Sequence, residues 1–481
     1  MNQTLLSTAV AIVLMAMPGP VLSAEDQVLV SREGDRTSLR LTIYQDDLAL
    51  VDDHRRVAFP RGRFVLEMDH VTRTLRPETL MVRETKTPGR SVVLERTYLS
   101  DLLTPKALLD EAVGERVAVI RTHPTTGEEL VDEGQLLSTT GGVVVQVGDL
   151  IHTQPAGRIA VYEVPARLRP RPAVRLLMDS QRGSQRELSL AYLTSGLSWK
   201  ADHVAVLAPG GDKLSWETLA TLNNQSGLAF PDTAVNLVAG EVHRVHEHRK
   251  HAPQHRAAAM MMESASMDVA REELGDYHMY TLPSRTSLVE RETKQVPLFH
   301  RPEAVYARDY VIRASTALHS WGHTRQQLPV QVELRAQNRE NRGLGVPIPG
   351  GIVRVYQAGK EGSVQFLGED RIAHTPIGET FTLRLGNAFD VTAEKVQTAF
   401  RRLTVPEGSR QRRFEVGYSI TVRNGATEAR SVRLIEQIPG EWEIISSSIA
   451  QAETTAREAI WNLEVPASGY RVLDFTVRIR Q

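Results

Sequence analysis

Apolar and polar residues alternate with a period of two along most of this chain, which is the pattern of half-buried β-strands. Residues 39–44 alternate in this way, Asp46 and Asp47 offer a turn, and residues 48–51 begin another strand. Residues 63–68 repeat the pattern. The predicted fold class is therefore mainly β, with several antiparallel β-sandwich or small-barrel modules and few helices.

One helix is predicted between Thr104 and Gly114. Thr104 is a favourable N-cap, Pro105 suits the first helical position, and Gly114 is a typical residue at a helix end. Leu109 and Ala112 supply an apolar face. Short strand patterns follow at residues 115–120, 134–138 and 143–149, and their spacing is typical of a small SH3-like or Sm-like barrel.

A stretch rich in proline and arginine follows at residues 163–175. Proline cannot donate a hydrogen bond to a sheet, so we expect an edge or a domain boundary here. The arginines either contact an acidic partner or belong to a solvated linker, and the linker is the favoured interpretation.

The C-terminal region shows a strand pattern at residues 414–422, a turn at Asn424 and Gly425, and a second strand at residues 431–435. This pattern predicts a long hairpin. An immunoglobulin-like module is then completed by Trp442, Trp461 and residues 470–477.

These patterns divide the chain into four predicted parts. They are a signal peptide at 1–24, an N-terminal β region with one helix and the small barrel at 25–170, a central β domain at 171–400 with a mobile insertion at 246–275, and a C-terminal immunoglobulin-like domain at 401–481.

The signal peptide is predicted because residues 1–24 contain no charged side chain and combine an apolar core at 5–17 with small residues at the end. Cleavage after Ser23 and cleavage after Ala24 both suit the pattern. We therefore expect a periplasmic or secreted protein. No later window is apolar enough for a membrane span, so none is expected after cleavage.

The amino-acid composition excludes several kinds of site and partner. The sequence has no cysteine, which excludes disulfides, thiol catalysis and cysteine-bound zinc. Its 57 basic and 58 acidic residues nearly balance, so nothing indicates a nucleic-acid partner. No cofactor is predicted.

Several motifs follow one another along the central region. They are LSLAYLTSGLSWKAD at 188–202, TLNNQSG at 221–227, LVAGEV at 237–242, YHMYTLP at 277–283, TKQVPLF at 293–299, GLGVPIPGG at 343–351 and GEDRI at 368–372. In this order they resemble the bacterial mucoidy-inhibitor-like family. The resemblance implies an exported protein built largely of β-sandwich modules, with no catalytic residues to carry over. Members often begin with a coiled coil, which residues 25–170 do not share.

The residues of these motifs also have a physical interpretation as scaffold. Trp199 lies in a strand pattern and is predicted to fill the space between sheets. The glycines and prolines of residues 343–351 precede a strand pattern instead of a helix, so a rigid turn is favoured over a phosphate-binding loop.

Histidines concentrate in one segment. Five of the protein's 15 lie between His243 and His255, and such density can capture zinc, copper or nickel. A metalloprotease motif needs a second histidine four residues after His246, but that position is Lys250. The biased composition that follows predicts a mobile loop. The candidate metal ligands are His246, His248 and His251.

No other catalytic constellation stands out, which favours a non-enzyme without deciding the matter. The favoured function is a non-catalytic binding or scaffolding module of the cell envelope, with an envelope protein or polysaccharide as partner. Two alternatives stay open: a metal-dependent hydrolase that uses the histidines of 243–255, and a structural partner in exopolysaccharide export.

Overall fold

The computed structural model describes residues 27–85, 91–240, 242, 270–274, 277–320, 325–359, 363–405 and 411–481. Strands make up 65% of it and helix 4%, so the predicted mainly β fold class is confirmed. Several separate sheets are present, as sandwich-like modules require. The predicted signal peptide lies outside the described residues.

The described residues form two compact units. Those up to Leu39 together with Val51–Thr194 form the first unit, and Arg40–Leu50 with Ser195–Gln481 form the second. The chain passes between the two units at residues 39/40, 50/51 and 194/195, whereas boundaries near residues 170 and 400 were predicted from the sequence.

Among the described residues, the first unit contains strands β1 to β13, one α-helix and two short 3-10 helices. It shares β2 and β3 with the second unit. In chain order the strands are β1 Val28–Ser31, β2 Arg36–Tyr44, β3 Leu48–Phe59, β4 Gly62–Asp69, β5 Met81–Glu84, β6 Ser91–Leu99, β7 Arg116–Thr122, β8 Glu129–Ser138, β9 Val144–Val147, β10 Leu150–Thr153, β11 Arg158–Val161, β12 Ala173–Ser180 and β13 Ser184–Thr194. The helix α1 is Pro105–Glu111, and the 3-10 helices are Glu33–Asp35 and Pro77–Thr79.

The remaining strands belong to the second unit, with a further 3-10 helix at Glu340–Arg342. They are β14 Leu197–Leu207, β15 Lys213–Asn224, β16 Phe230–Ala239, β17 Ala270–Leu274, β18 Tyr277–Thr281, β19 Thr286–Leu288, β20 Glu292–Ser315, β21 Arg325–Leu328, β22 Val330–Gln337, β23 Gly351–Ala358, β24 Val364–Ile372, β25 Thr380–Asn387, β26 Val391–Leu403, β27 Arg413–Asn424, β28 Arg430–Gln437, β29 Glu441–Ser447, β30 Glu453–Thr454, β31 Glu458–Val465 and β32 Gly469–Arg480.

The predicted helix is confirmed as α1. The Thr104 hydroxyl accepts a hydrogen bond from the backbone nitrogen of Ala107 at 3.1 Å, which is the expected N-cap contact. Ala112 is buried in a small core with Leu136 and Val145. The helix therefore covers one face of the sheet built from β7 to β11.

That sheet corrects the small-barrel prediction. Its strands pair in the open order β10-β9-β8-β7-β11, and no closed barrel is present among the described residues. The chain after β10 returns to the opposite edge, where β11 pairs with β7. β10 therefore pairs with β9 alone, and its Leu150 and Ile151 are 66% and 63% exposed.

The stretch rich in proline and arginine leads into a central strand, whereas an edge or a domain boundary was expected. β12 begins at Ala173 and lies between β4 and β6 in a four-stranded sheet of order β1-β4-β12-β6. Arg169 and Arg175 both donate to the carboxylate of Glu67, and Arg167 Nε donates to Asp101 at 3.2 Å. Arg167, Arg169 and Arg175 are thus paired with carboxylates of the first unit, and Arg171 contacts His70.

In the second unit a ten-stranded sheet follows the path β24-β23-β14-β15-β20-β28-β31-β30, with β22 joining β20 to β25. Its strand β20 is 24 residues long and pairs along its length with β15, β22 and β28. A five-stranded sheet has the order β21-β26-β27-β32-β29. Its inner face shares one buried core with β20, β22, β28 and β31, and we call these two layers the C-terminal sandwich.

The C-terminal sandwich corrects the hairpin predicted around Asn424. β27 pairs with β26 and β32, whereas β28 pairs with β20 and β31, so the chain changes sheet at this turn. The Asn424 side chain donates to the carbonyl oxygens of Glu428 at 2.8 Å and Pro466 at 3.1 Å. An asparagine that serves the connection in this way favours a sheet-to-sheet arch over a hairpin.

Two further asparagines close chain connections in the same way. Asn224 is the last residue of β15 and Asn338 follows β22, and both are almost fully buried. Each side-chain nitrogen contacts three backbone carbonyl oxygens at 2.7 to 3.3 Å. The second unit thus repeats one device, a buried asparagine that satisfies the polar backbone where a strand ends.

The scaffold predictions for Trp199 and for residues 343–351 are confirmed. Trp199 is 2% exposed and donates from Nε1 to the carbonyl oxygen of Val238 at 3.0 Å. Gly343 has a φ of 83°, and a Cβ there would lie 1.9 Å from the carbonyl oxygen of Glu303. Two backbone segments approach so closely at this turn that only glycine fits at position 343.

Candidate functional site

The predicted metal ligands His246, His248 and His251 lie outside the residues that the structure describes. Of the predicted insertion at 246–275, Ala270–Leu274 form β17, which pairs with β18. Within the described ranges no three His, Asp or Glu side chains are placed to hold a metal ion. Buried titratable groups elsewhere are the remaining candidates for chemistry.

Asp53 lies between two guanidinium groups in the first unit. Arg55 is fully buried and donates from Nη2 to Asp53 Oδ2 at 2.8 Å, while Arg36 donates from Nε to Oδ1 at 3.1 Å. Arg55 also donates to the backbone oxygens of Ser31 and Asp69. Burial favours a raised pKa for Asp53, but Arg55 and Arg36 outweigh it and hold that pKa below its usual value. Both carboxylate oxygens are occupied, so Asp53 stabilises the unit and offers no free base.

His70 lies at the rim of this network with a left-handed backbone, φ 57°. Its Nδ1 is 2.8 Å from Asp69 Oδ1, and its Nε2 is 3.4 Å from Glu33 Oε2 and also contacts Arg171. Both ring nitrogens are therefore engaged by neighbouring charges of the same unit. The imidazole holds chain segments together and is not directed at an open site.

His203 is fully buried in the second unit. Its Nε2 lies 3.0 Å from the carbonyl oxygen of Pro349 and must donate to it, so Nδ1 accepts from the Thr218 hydroxyl at 2.9 Å. The same hydroxyl accepts from Trp216 Nε1 at 2.9 Å. Burial lowers the pKa of His203 to about 4, although the hydrogen bond to Pro349 opposes the shift. The ring is neutral and fully bonded, which suits a structural role.

Lys395 is the buried amine of the C-terminal sandwich. It lies on β26, and Glu436 lies on β28 in the opposite layer; both side chains are 0% exposed. Lys395 Nζ is 2.5 Å from Glu436 Oε1 and 3.0 Å from the carbonyl oxygen of Ser315. It also lies 4.0 Å from the centroid of the Tyr418 ring. Burial lowers the pKa of Lys395, and the attraction of Glu436 offsets only part of that shift.

The two oxygens of Glu436 have unequal surroundings. Oε1 accepts from Lys395 and from the Thr316 hydroxyl, the latter at 2.7 Å. Oε2 is buried and has no hydrogen-bond partner among the described residues. A buried amine therefore faces a half-satisfied carboxyl, an arrangement that neither Asp53 nor His203 shows.

Sequence reasoning missed Lys395 and Glu436, although a signal was present. Along β26 the buried positions are Val391, Ala393, Lys395 and Gln397, and along β28 they are Val432, Leu434 and Glu436. A charged residue at an inward-facing position of a strand is the sign of a buried pair.

Two aromatic side chains are exposed at one end of the C-terminal sandwich. Phe389, two residues before β26, is 94% exposed, and Tyr470, the second residue of β32, is 66% exposed. Val391 of β26 and Gly469 of β32 both pair with Asn424, so the two aromatic residues lie at the same end of one sheet. We call Phe389 and Tyr470 the aromatic end. Exposed aromatic side chains at one end of a sheet are candidates for an interaction surface.

No protein-family model matches this chain, and no curated protein is significantly similar to it. Among the residues that the structure describes, no helix has the length and apolar character needed to cross a membrane.

Proposed function

We propose that this protein is an exported, non-catalytic binding or scaffolding protein of the bacterial envelope, and that it belongs to the mucoidy-inhibitor-like family. The proposal rests on the observation that the titratable groups described above are buried and hydrogen-bonded within the protein. Asp53, His203 and Lys395 all bond to their own chain in the interior. Catalytic groups in contrast need a surface from which they reach a substrate.

The aromatic end is the surface that we propose for binding. Aromatic side chains provide a large contact area at a low entropic cost, and they dominate the energetics of many interfaces. Loops at the end of a β-sandwich are a common place for recognition because the sheets hold them rigidly. We propose an envelope polysaccharide as the partner, whose sugar rings present flat faces to Phe389 and Tyr470.

Binding is tested with the purified mature protein and exopolysaccharide isolated from cultures of the source bacterium. The double change Phe389→Ser and Tyr470→Ser is expected to weaken binding at least about tenfold, since truncating aromatic anchors costs about 2 kcal/mol or more. The measurement is retention on immobilised polysaccharide over a concentration series.

The matched control is Phe366→Ser on β24. Phe366 is 58% exposed and lies on β24, an edge strand of the ten-stranded sheet that is not part of the C-terminal sandwich. It is expected to leave binding unchanged. Equal binding by the parent, the double variant and the control would contradict the proposed surface.

Export is tested separately by fractionating cells that produce the full chain. The protein is expected in the periplasm or the medium, with Ala24 or Glu25 as its first residue, because the apolar segment before it is removed on export. N-terminal sequencing makes the measurement. A cytoplasmic protein that retains residues 1–24 would contradict the proposal.

A further inference from the structure

We propose that Lys395 and Glu436 condense into an intramolecular amide bond that joins the two layers of the C-terminal sandwich. The inference concerns a covalent modification and does not depend on the proposed function. It rests on the distance between the reacting groups, the dryness of their site and the hydrogen bonds that each state makes.

The reacting groups are already in contact. Lys395 Nζ is 2.5 Å from Glu436 Oε1, so the nitrogen lies against the carboxyl group that it would attack. The two residues are 41 positions apart in the chain and are held by strands of different sheets. Such fixed proximity makes the reaction effectively unimolecular and greatly raises the local concentration of amine at the carboxyl.

The ionised pair is poorly stabilised in this core. A buried carboxylate gains from its environment only if donors satisfy both oxygens, and Glu436 Oε2 has no donor among the described residues. Burial also lowers the pKa of Lys395. Transfer of one proton from the ammonium to the carboxylate gives a neutral amine and a neutral acid, which are the forms that react.

The amide would satisfy the groups that the ion pair leaves unsatisfied. Its N–H would donate to the carbonyl oxygen of Ser315, which is now 3.0 Å from Nζ. Its carbonyl oxygen, the former Oε1, would keep the hydrogen bond from the Thr316 hydroxyl. The unsatisfied Oε2 would leave as water, so the product buries no charge and no unpaired oxygen.

The atoms balance without any further reactant. The bond from Lys395 Nζ to Glu436 Cδ forms, and the bond from Cδ to Oε2 breaks. Oε2 leaves as water together with two of the three ammonium protons, and the third proton stays on the amide nitrogen. No electrons are gained or lost by an outside group.

A second Lys–Glu pair in the same unit serves as an internal control. Lys213 Nζ lies 2.9 Å from Glu303 Oε2, but these side chains are 54% and 68% exposed. The hydrogen bond to Glu303 raises the pKa of Lys213, which keeps that amine in its protonated, unreactive form. We expect an amide at Lys395 and none at Lys213.

The test is peptide mass analysis of the full-length protein, denatured and digested with trypsin. An amide protects Lys395 from cleavage, so the expected product is residues 385–401 linked to residues 434–457, lighter than their sum by one water. No linked peptide is expected from Lys213 and Glu303. Recovery of free peptides 385–395 and 434–457, without the linked product, would overturn the proposal.

Two variants exclude other origins of the linked product. The double change Lys395→Met and Glu436→Leu keeps an apolar core of similar volume, and its intact mass is expected to equal the calculated mass of the mature chain. Thr316→Val removes the donor to the carboxyl oxygen and is expected to lower the linked fraction several-fold. A mass deficit of one water that persists in the double variant would overturn the assignment to these residues.

Discussion

Replacing Asp53 with alanine is expected to destabilise the first unit by about 3–5 kcal/mol, because the change leaves two guanidinium groups in the interior without their carboxylate. Arg55 is 0% exposed and Arg36 is 9% exposed, so water cannot take over the role of Asp53. Urea unfolding followed by circular dichroism measures the loss as a lower midpoint.

The control for this change is Asp132→Ala in the same unit. Asp132 pairs with Arg121 on the surface, where both side chains are more than a third exposed. A surface pair contributes little, so the midpoint is expected to move by the equivalent of about 0.5 kcal/mol or less. Equal effects of the two changes would show that the buried network is not needed for stability.

Stability of the second unit is expected to fall when the pH is lowered from about 7 to about 5, and His203 is the cause. The pKa of its imidazole is about 4 in the folded chain, against 6.5 without burial. Between these pH values His203 is protonated in the unfolded chain but not in the folded chain, so acid favours unfolding. The full loss is about 3 kcal/mol by pH 4, and about 2 kcal/mol of it falls between pH 7 and pH 5.

Urea unfolding at several pH values measures this slope, and His203→Gln is the comparison. Glutamine retains a donor for Pro349 and an acceptor for Thr218 but does not titrate. Carboxylates contribute little above about pH 5 because their unfolded pKa values lie near 4. The variant is therefore expected to lose most of the slope, and an identical slope in both proteins would contradict the assignment to His203.

Features that depend on neighbours in sequence were predictable. The start of α1 follows from Thr104 and Pro105, because an N-cap and its helix are adjacent in the chain. Trp199 is in the core, as expected from the alternation of its own strand. The turn at residues 343–351 was predictable for the same reason, since its glycines and prolines restrict the local backbone.

Features that depend on the choice of a distant partner strand were not predictable. Residues 414–422 and 431–435 alternate like two arms of a hairpin, but hydrogen bonding to β26 and β31 places them in different sheets. The open order of β7 to β11 has the same origin. Alternation states that a strand is half buried and is silent on which strand pairs with it.

The buried charges show which features follow from the sequence and which depend on the tertiary structure. The alternation of β3 assigns Asp53 and Arg55 to the inward face with Val51 and Val57, and that assignment follows from the sequence by itself. Only the tertiary structure decides which groups meet there. Lys395 contacts Glu436 because two sheets pack face to face in a fixed register, and a shift of one residue would turn both side chains outward. The sequence alone thus determined the inner and outer face of each strand, whereas long-range packing determined the contacts between them.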